Sequence, residues 1–513
     1  MIRAISRNLG GSELARRALE GGLPEWYLPR PAGEAAWTAI ADATSAEFIG
    51  GRWLPDLLPA LQPSGAAAAR LRAAANDNGV VITGGQQPGL FGGPLYVLNK
   101  AMTMLELADA VQIATNRPVA PVFWAATDDA DFVEASHIGV VRRGRLDTLT
   151  MAPPDVTGRS MSKTPLGDVS EQLARLEEAC GSAPAAGALE AVRLAYTTSA
   201  SVGSAYLILL RSLLEPLGIA VLDASHSAVR AAGHKTAQRA LDRAEAVAHA
   251  LVTRSKDIAS AGFHAQVADV PNLSLVFETL DDATRRRVPI STAPSVAASS
   301  PSERLGPNVL LRPVMERQIL PTVCYVGGPG EVAYFAQVSA VARALDFAVP
   351  RIVPRWSGTL IESQIDTTLD RLGAGIADFA DPHAMETMVA RKAVSPGIRD
   401  SIAELRVTLD NISNQLRGDA QTSDALSRSI GTMRAVVENR LTRLERRYAA
   451  AIKQAGTDDL RDVAFVRATL YPGGDPQERV LSYVPFLARY GSSAVDAIRV
   501  EARKHVAGVI DGD

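Results

Sequence analysis

Gly84-Gly85-Gln86-Gln87-Pro88-Gly89-Leu90-Phe91-Gly92-Gly93-Pro94-Leu95-Tyr96 follows the β-branched run Val80-Val81-Ile82-Thr83 and precedes apolar-periodic residues from Tyr96 to Val111. Strand, glycine-rich turn and helix, in that order, present backbone N–H groups to a ligand, as nucleotide-binding α/β folds do. The glycine spacing fits the dinucleotide fingerprint only loosely, so the order of elements carries the reading. The run Val119-Ala120-Pro121-Val122-Phe123-Trp124-Ala125-Ala126 comes next, at a distance that suits a right-handed parallel crossover. The same signal recurs at Thr322–Val326, Gly327-Gly328-Pro329-Gly330 and the helical pattern from Glu331, an acid well placed in a first turn. Val349–Val353 is a further strand, ending at Pro354-Arg355. Strands alternating with helices predict a parallel, doubly wound α/β sheet.

Around this sheet, residues 1–79 read as mostly helical, and 139–200 as an inserted region. Residues 203–215 form a helix before the strand Ile219–Asp223, 227–260 a long alanine-rich helix, and the Ser/Pro/Ala-rich 292–308 a loop. The character changes after residue 360. Ile402, Leu405, Leu409, Ile412 and Leu416 step by three and four, as do Met433, Val437, Leu441, Leu444, Tyr448 and Ile452. Two narrow apolar seams separated by the polar stretch Arg417–Asp424 predict an antiparallel helical coiled coil, a projecting arm suited to a dimer contact. The expected organisation is a core over 1–360 with insertions at about 139–200 and 227–317, the coiled coil over 361–455, and a segment over 456–513 that packs back on the core.

At 513 residues the chain exceeds one compact core. Its formal net charge is -3 and lysine and arginine form no dense block, so no nucleic-acid partner is expected. Two distant cysteines, Cys180 and Cys324, argue against a disulfide scaffold or a cysteine zinc site and suit reduced thiols in a cytoplasmic protein. The N-terminus lacks a signal-peptide core. The most apolar window, Tyr206–Leu222, is interrupted by Arg211, Glu215 and Pro216, so no membrane span is expected. The seven histidines show no metal-ligand spacing, and no G-x-S-x-G motif occurs.

Thr127-Asp128-Asp129-Ala130-Asp131-Phe132-Val133-Glu134-Ala135-Ser136-His137 lies just beyond the Phe123-Trp124 strand, where open parallel sheets bind ligands. Asp131, Glu134 and His137 fall near one face if the segment is helical. These carboxylates suit an ammonium group or a phosphate-bound Mg²⁺, and His137 suits positioning a substrate or moving a proton; an acidic first turn would use the same residues. Gln86 and Gln87 offer uncharged amide donors. Lys100 points at a phosphate or is a solvated helix lysine, and Gly327, Gly328 and Gly330 form either a second anion-receiving turn or a plain tight turn. His264 reads as a buried structural histidine.

Arg159–Thr164 resembles the mobile lysine loop of class I aminoacyl-tRNA synthetases, but no His-x-Gly-His partner exists. A broader resemblance covers the chain from about 80 to 491. Thr83–Lys100, Pro121–His137, Gly262–Val267, Asn308–Pro313, Tyr325–Gln337, Pro476-Gln477-Glu478-Arg479 and Tyr490-Gly491 are together similar to the cysteine ligases of bacillithiol biosynthesis, the BshC family. The resemblance implies a Rossmann-like core with inserted connecting elements, a protruding coiled coil and a homodimer. It also implies a cytoplasmic ligase that joins the carboxyl of cysteine to the amine of glucosaminyl-malate, forming an amide. Amide formation in water needs carboxylate activation, so ATP (with ADP as a product) and Mg²⁺ are expected; acyl-adenylate and acyl-phosphate routes both meet that need. Carried over are Asp129, Asp131 and His137 as catalytic residues, with Gln86, Gln87, Gly89 and Asp128 as substrate- or nucleotide-binding residues; the second glycine turn adds Gly327 and Gly328 as binding candidates, and no protein-held metal is expected. The chain departs from the family pattern G-E-D-H-D at Thr127, at Asp128 (a conservative change) and at Ala130, which stands where the family has histidine; Gly92 stands where it has threonine. Another nucleotide-dependent amino-acid ligase or transferase, or a non-catalytic nucleotide-binding dimer, are the alternatives.

Overall fold

The computed structural model describes all residues except 1, 49, 382, 420–422, 456–457 and 513. Its strands are β1 (Ile2–Ser6), β2 (Val80–Gln86), β3 (Val119–Ala125), β4 (His137–Arg142), β5 (Arg145–Thr150), β6 (Ala220–Asp223), β7 (Leu273–Thr279), β8 (Arg285–Pro289), β9 (Leu305–Pro307), β10 (Thr322–Gly327), β11 (Ile352–Pro354) and β12 (Gly358–Glu362). The central sheet has the order β11-β10-β2-β3-β6, and every pair in it is parallel. β3 is buried along its whole length and β2 everywhere but its last residue. Helices on both faces dictate this, and both strands accordingly read as unbroken apolar runs rather than alternating ones.

The chain steps from β2 to β3 and β6 in one direction, then returns to the far side of β2 for β10 and β11. The direction therefore reverses between β2 and β10, which opens a crevice beyond their carboxyl ends. Gly84 and Gly85 let the strands close up there: a Cβ on Gly85 would lie 2.4 Å from the Trp124 carbonyl oxygen, and one on Gly84 2.8 Å from Met104 Sδ. The doubly wound parallel sheet read from the alternation of elements is thus present, with β2 running three residues further than Thr83.

Other expectations need correction. The N-terminal region contains a strand, β1, paired antiparallel with β12. Residues 227–260 are two helices, Ser227–Asp242 and Ala244–Ser260, because Arg243 leaves helical geometry at φ -106°, ψ 23°. Residues 292–308 hold the helix Ala293–Ser299 and strand β9; Pro294 sits in a first turn, where its missing N–H is harmless. β7, β8 and β9 form a separate antiparallel sheet.

Contacts divide the chain into two compact units. One comprises Met1–Val140, Asp147–Glu362 and Gln477–Asp513, the other Val141–Leu146 and Ser363–Pro476. The first unit includes the terminal helix Ser492–Asp511, whose Arg499 and Arg503 grip the buried Glu106 of the helix Leu95–Thr115 at 2.6 and 2.8 Å. In the second, Pro396–Gly418 and Asp424–Ala455 form an antiparallel pair, held by Arg406 on Glu438 and Glu445 and by Arg434 on Asp410. Part of the separating stretch Arg417–Asp424 lies outside the described residues. The second unit extends to Pro476, past the expected boundary at 455, because the helix Asp458–Leu470 packs on Ser363–Leu372 and Ala384–Lys392. The seams are only half covered: Ile402 and Leu441 are buried, whereas Leu405, Ile412, Leu416 and Met433 stay exposed. Among the described residues no helix is long and apolar enough to cross a membrane.

Candidate functional site

The crevice between β2 and β10 opens into a cavity of about 620 Å³ walled by residues of the first unit. β2 contributes Gly85, Gln86 and the following Gln87, and the segment after β3 contributes Ala126 and Asp128–Ala130. β10 leads to Gly328, Pro329, Gly330 and Glu331, while β8 supplies Arg285 and Arg287. A strand's two-residue period puts those two arginines on one face.

The floor is a charged network. Lys100 is 1% exposed; its Nζ meets Glu331 Oε2 at 2.6 Å and donates to Gly85 O at 2.6 Å and Gln86 Oε1 at 3.2 Å. It is neither solvated nor free for a phosphate. Glu331 also accepts from Gly328 N at 2.6 Å and from the Tyr325 hydroxyl. The chain's own carboxylate therefore occupies the second glycine turn. Burial alone would raise the Glu331 carboxyl, but Lys100 and Arg312 hold it below the ordinary range. Arg312 donates to the hydroxyls of Tyr325 and Tyr334 at 3.2 and 3.1 Å. Gly327 lies behind the wall, its Cβ position 2.7 Å from the Ile352 side chain.

Asp128 is a committed carboxylate. It is buried against Arg230 at 3.1 Å and Arg285 at 3.4 Å, and Arg285 also donates to its backbone oxygen. Burial would lift the Asp128 carboxyl, but the two guanidiniums bring it below its usual range. Asp129 faces the cavity. Its Oδ1 accepts from Ala130 N and Asp131 N, and its Oδ2 accepts from Gln87 Nε2 at 2.6 Å. The Arg159–Thr164 segment braces this turn, as Met161 N and Ser162 N donate to the carbonyls of Asp129 and Thr127.

The helical face expected for Asp131, Glu134 and His137 does not form. The helix is a single turn, Phe132–Ala135, capped by Asp131, and His137 begins β4. His137 is exposed, with Nδ1 3.1 Å from Val133 O, and neither it nor Asp131 is on the wall. Glu134 does line the cavity; partial burial raises its carboxyl, and Asp131 and Asp129 raise it further. The glycine loop also turns inward. Tyr196 OH donates to Gly89 O at 3.1 Å and accepts from Gly92 N at 3.0 Å. Gly92 has φ +88°, and a Cβ there would sit 1.8 Å from Tyr483 OH, so no side chain finds room at this position. Of the expected loop residues, Gln86 and Gln87 reach the cavity and Gly89 does not. His264 is exposed, not buried; Gln337 pins its segment instead, bonding both backbone groups of Val267.

The sequence reading did not single out the arginine wall or the clamp beneath it. Arg355 lines the cavity and is gripped by Glu478 through two bonds of 2.8 Å. Asn99 Nδ2 and Ser357 Oγ donate to the same carboxylate at 2.8 Å each. A signal existed for both: Arg285 and Arg287 alternate before Val288-Pro289, and Glu478 lies in the quoted Pro476–Arg479 segment.

Two family models match the chain. The one described as Bacillithiol biosynthesis BshC, N-terminal Rossmann-like domain, covers residues 58–356, and the one described as Bacillithiol biosynthesis BshC, C-terminal coiled-coil domain, covers 358–506. Relatives named "Putative cysteine ligase BshC" include one from Koribacter versatilis, 32% identical over 81% of this chain and 81% of its own length. Another from Solibacter usitatus is 28% identical over 88% of each. A third from Salinibacter ruber is 28% identical over 93% of this chain and 90% of its own.

Proposed function

The chain belongs to the BshC family of bacillithiol biosynthesis, and from that premise we propose that it is a ligase joining the carboxyl of cysteine to the amine of glucosaminyl-malate. The observation that carries this reading is the cavity at the sheet's switch point, which sets an acidic edge, Asp129 and Glu134, beside a wall of arginines. An amine enters as an ammonium and must lose a proton before it attacks. Asp129, oriented by Gln87 and two backbone N–H groups, holds the ammonium. Glu134, with its carboxyl raised, is suited to accept the proton. Asp131 caps the turn that carries Glu134, and His137 stands outside the wall as a rim residue.

ATP, when bound, supplies the activation of the cysteine carboxyl. The residues fit a nucleotide: Gln86 and Gln87 offer amide donors on the wall, and Arg287, held through Nε and Nη2 by Ser274 O, adds positive charge to it. Among the described residues no group of three or more His, Cys, Asp or Glu could hold a metal, so Mg²⁺ would enter with the phosphates. The same reading carries a homodimer through the arm, supported by the exposed Leu405, Ile412 and Leu416.

The test is a mass-spectrometric assay of the purified chain with ATP, Mg²⁺, cysteine and glucosaminyl-malate. A thiol product that requires both protein and ATP supports the reading; full activity in the Asp129→Ala, Glu134→Ala double variant sinks it. Ala130, on the wall where the family has histidine, favours a second reading, a ligase for another amino acid or acceptor. A substrate panel showing no preference for cysteine would select it.

A further inference from the structure

Every cation on the cavity wall but one is committed to the protein. Lys100 is paired with Glu331, Arg285 with Asp128 and Arg355 with Glu478; Arg312 is bonded to two tyrosine hydroxyls, and Arg287 twice to a carbonyl. Arg479 is the exception: exposed, on the wall, and without an ion pair or side-chain hydrogen bond among the described residues.

Its backbone is nonetheless fixed. Gln477 before it bonds both backbone groups of Leu360 at 2.8 and 3.0 Å, and Glu478 holds Arg355. Beyond it, Leu481 O accepts from Leu95 N and Ser482 N donates to Gly139 O. A rigid turn thus delivers one uncommitted guanidinium to the cavity. Glu134 and Arg479 both line the cavity, and both act electrostatically on Tyr96, with opposite sign. The wall therefore carries carboxylates for an ammonium and a cationic point for an anion.

We propose that Arg479 is the specificity-determining residue that takes a carboxylate of the acceptor substrate, so that the amine at its other end is held over Asp129 and Glu134. The guanidinium fork matches a carboxylate with two parallel bonds. This assignment rests on the ligase reading for the identity of the acceptor, but the calorimetric arm of its test does not.

Calorimetry with L-malate as the probe, on the full chain, is expected to show binding that weakens on the order of 10–100-fold in Arg479→Gln and partly recovers in Arg479→Lys. Melting temperature checks that each variant is folded, and the lysine variant serves if the glutamine one is not. ATP binding is expected to be unchanged. Malate binding equal in wild type and Arg479→Gln, or absent from wild type, overturns the proposal, and so does loss of ATP or inorganic phosphate binding with malate retained. In the ligase assay, the KM for glucosaminyl-malate should rise by a similar factor while turnover of methyl glucosaminide stays unchanged. Product formation with an unaltered KM in Arg479→Gln would leave the ligase reading standing and remove this one. Malate binding that depends on Arg479, without turnover, would do the reverse.

Discussion

Removing the Glu478 carboxylate should destabilise the first unit by about 3–5 kcal/mol, the range for breaking one side of a buried ion pair. The Arg355 and Glu478 side chains are 4% and 5% exposed, so Glu478→Ala leaves a largely buried guanidinium without its counter-charge. It also strips a bond from Asn99, from Ser357 and, at 3.3 Å, from Gly358 N. At about 2 cal/mol/K of unfolding entropy per residue, that loss lowers the melting temperature of a unit of several hundred residues by about 4–6 °C. Scanning calorimetry reads it directly. The double variant Arg355→Met, Glu478→Leu should recover most of the loss, because an apolar pair leaves no buried charge behind. A melt of Glu478→Ala within about 1 °C of wild type, or a double variant as unstable as the sum of its singles, refutes the reasoning. The sign with pH is fixed as well. Burial alone would raise the Glu478 carboxyl, but Arg355 and the hydrogen bonds hold it below the ordinary value, so its contribution is present at neutral pH and lost as pH falls through the depressed folded value.

Asp129→Asn keeps the oxygen that accepts two backbone N–H groups but removes the charge, and the Gln87 amide must turn to offer its oxygen to the new Nδ2; turnover in the mass-spectrometric assay should fall at least about 100-fold while the chain stays folded by its melting curve. Burial pushes the Glu316 carboxyl up to about 7, against the opposing pull of Arg312. Between its ordinary value and about 7 the folded chain keeps a proton that the unfolded chain releases, so stability should fall as pH rises through that window. Glu316→Gln should flatten that dependence in melts from pH 5 to 8. If the exposed seam of the arm carries the proposed dimer contact, the paired change Leu405→Asp, Leu416→Asp should convert dimer to monomer in light scattering without lowering the first unit's melting temperature.

The doubly wound sheet was legible because β2, β3 and β10 are continuous apolar runs ended by glycine or acidic turns, a pattern that buried parallel strands impose by themselves. The acidic segment after β3 was legible for the same reason, since strand ends mark where ligands go. Which of its acids face the cavity was not. Asp128 is turned inward by Arg230 and Arg285, which lie 102 and 157 residues away in sequence, and local spacing holds no trace of them. His137 was misplaced because a one-turn helix and a strand start share its neighbourhood, and periodicity over six residues does not separate the two. The glycine loop misled differently: its glycines admit Tyr196 and Tyr483, so they record tight packing rather than an open cradle for phosphate.

The Glu478 clamp also sets an order on synthesis. A ribosome releases β2, β3, β10 and Arg355 long before residue 478 follows, and until then Arg355 has no carboxylate to accompany it into the interior. The nascent chain must keep that guanidinium wet and its cavity unfinished through the whole emergence of the helical arm. The wall of the cavity closes only once Gln477–Arg479 has emerged, so a chain truncated before Gln477 should accumulate with an assembled sheet and an open, unsealed site.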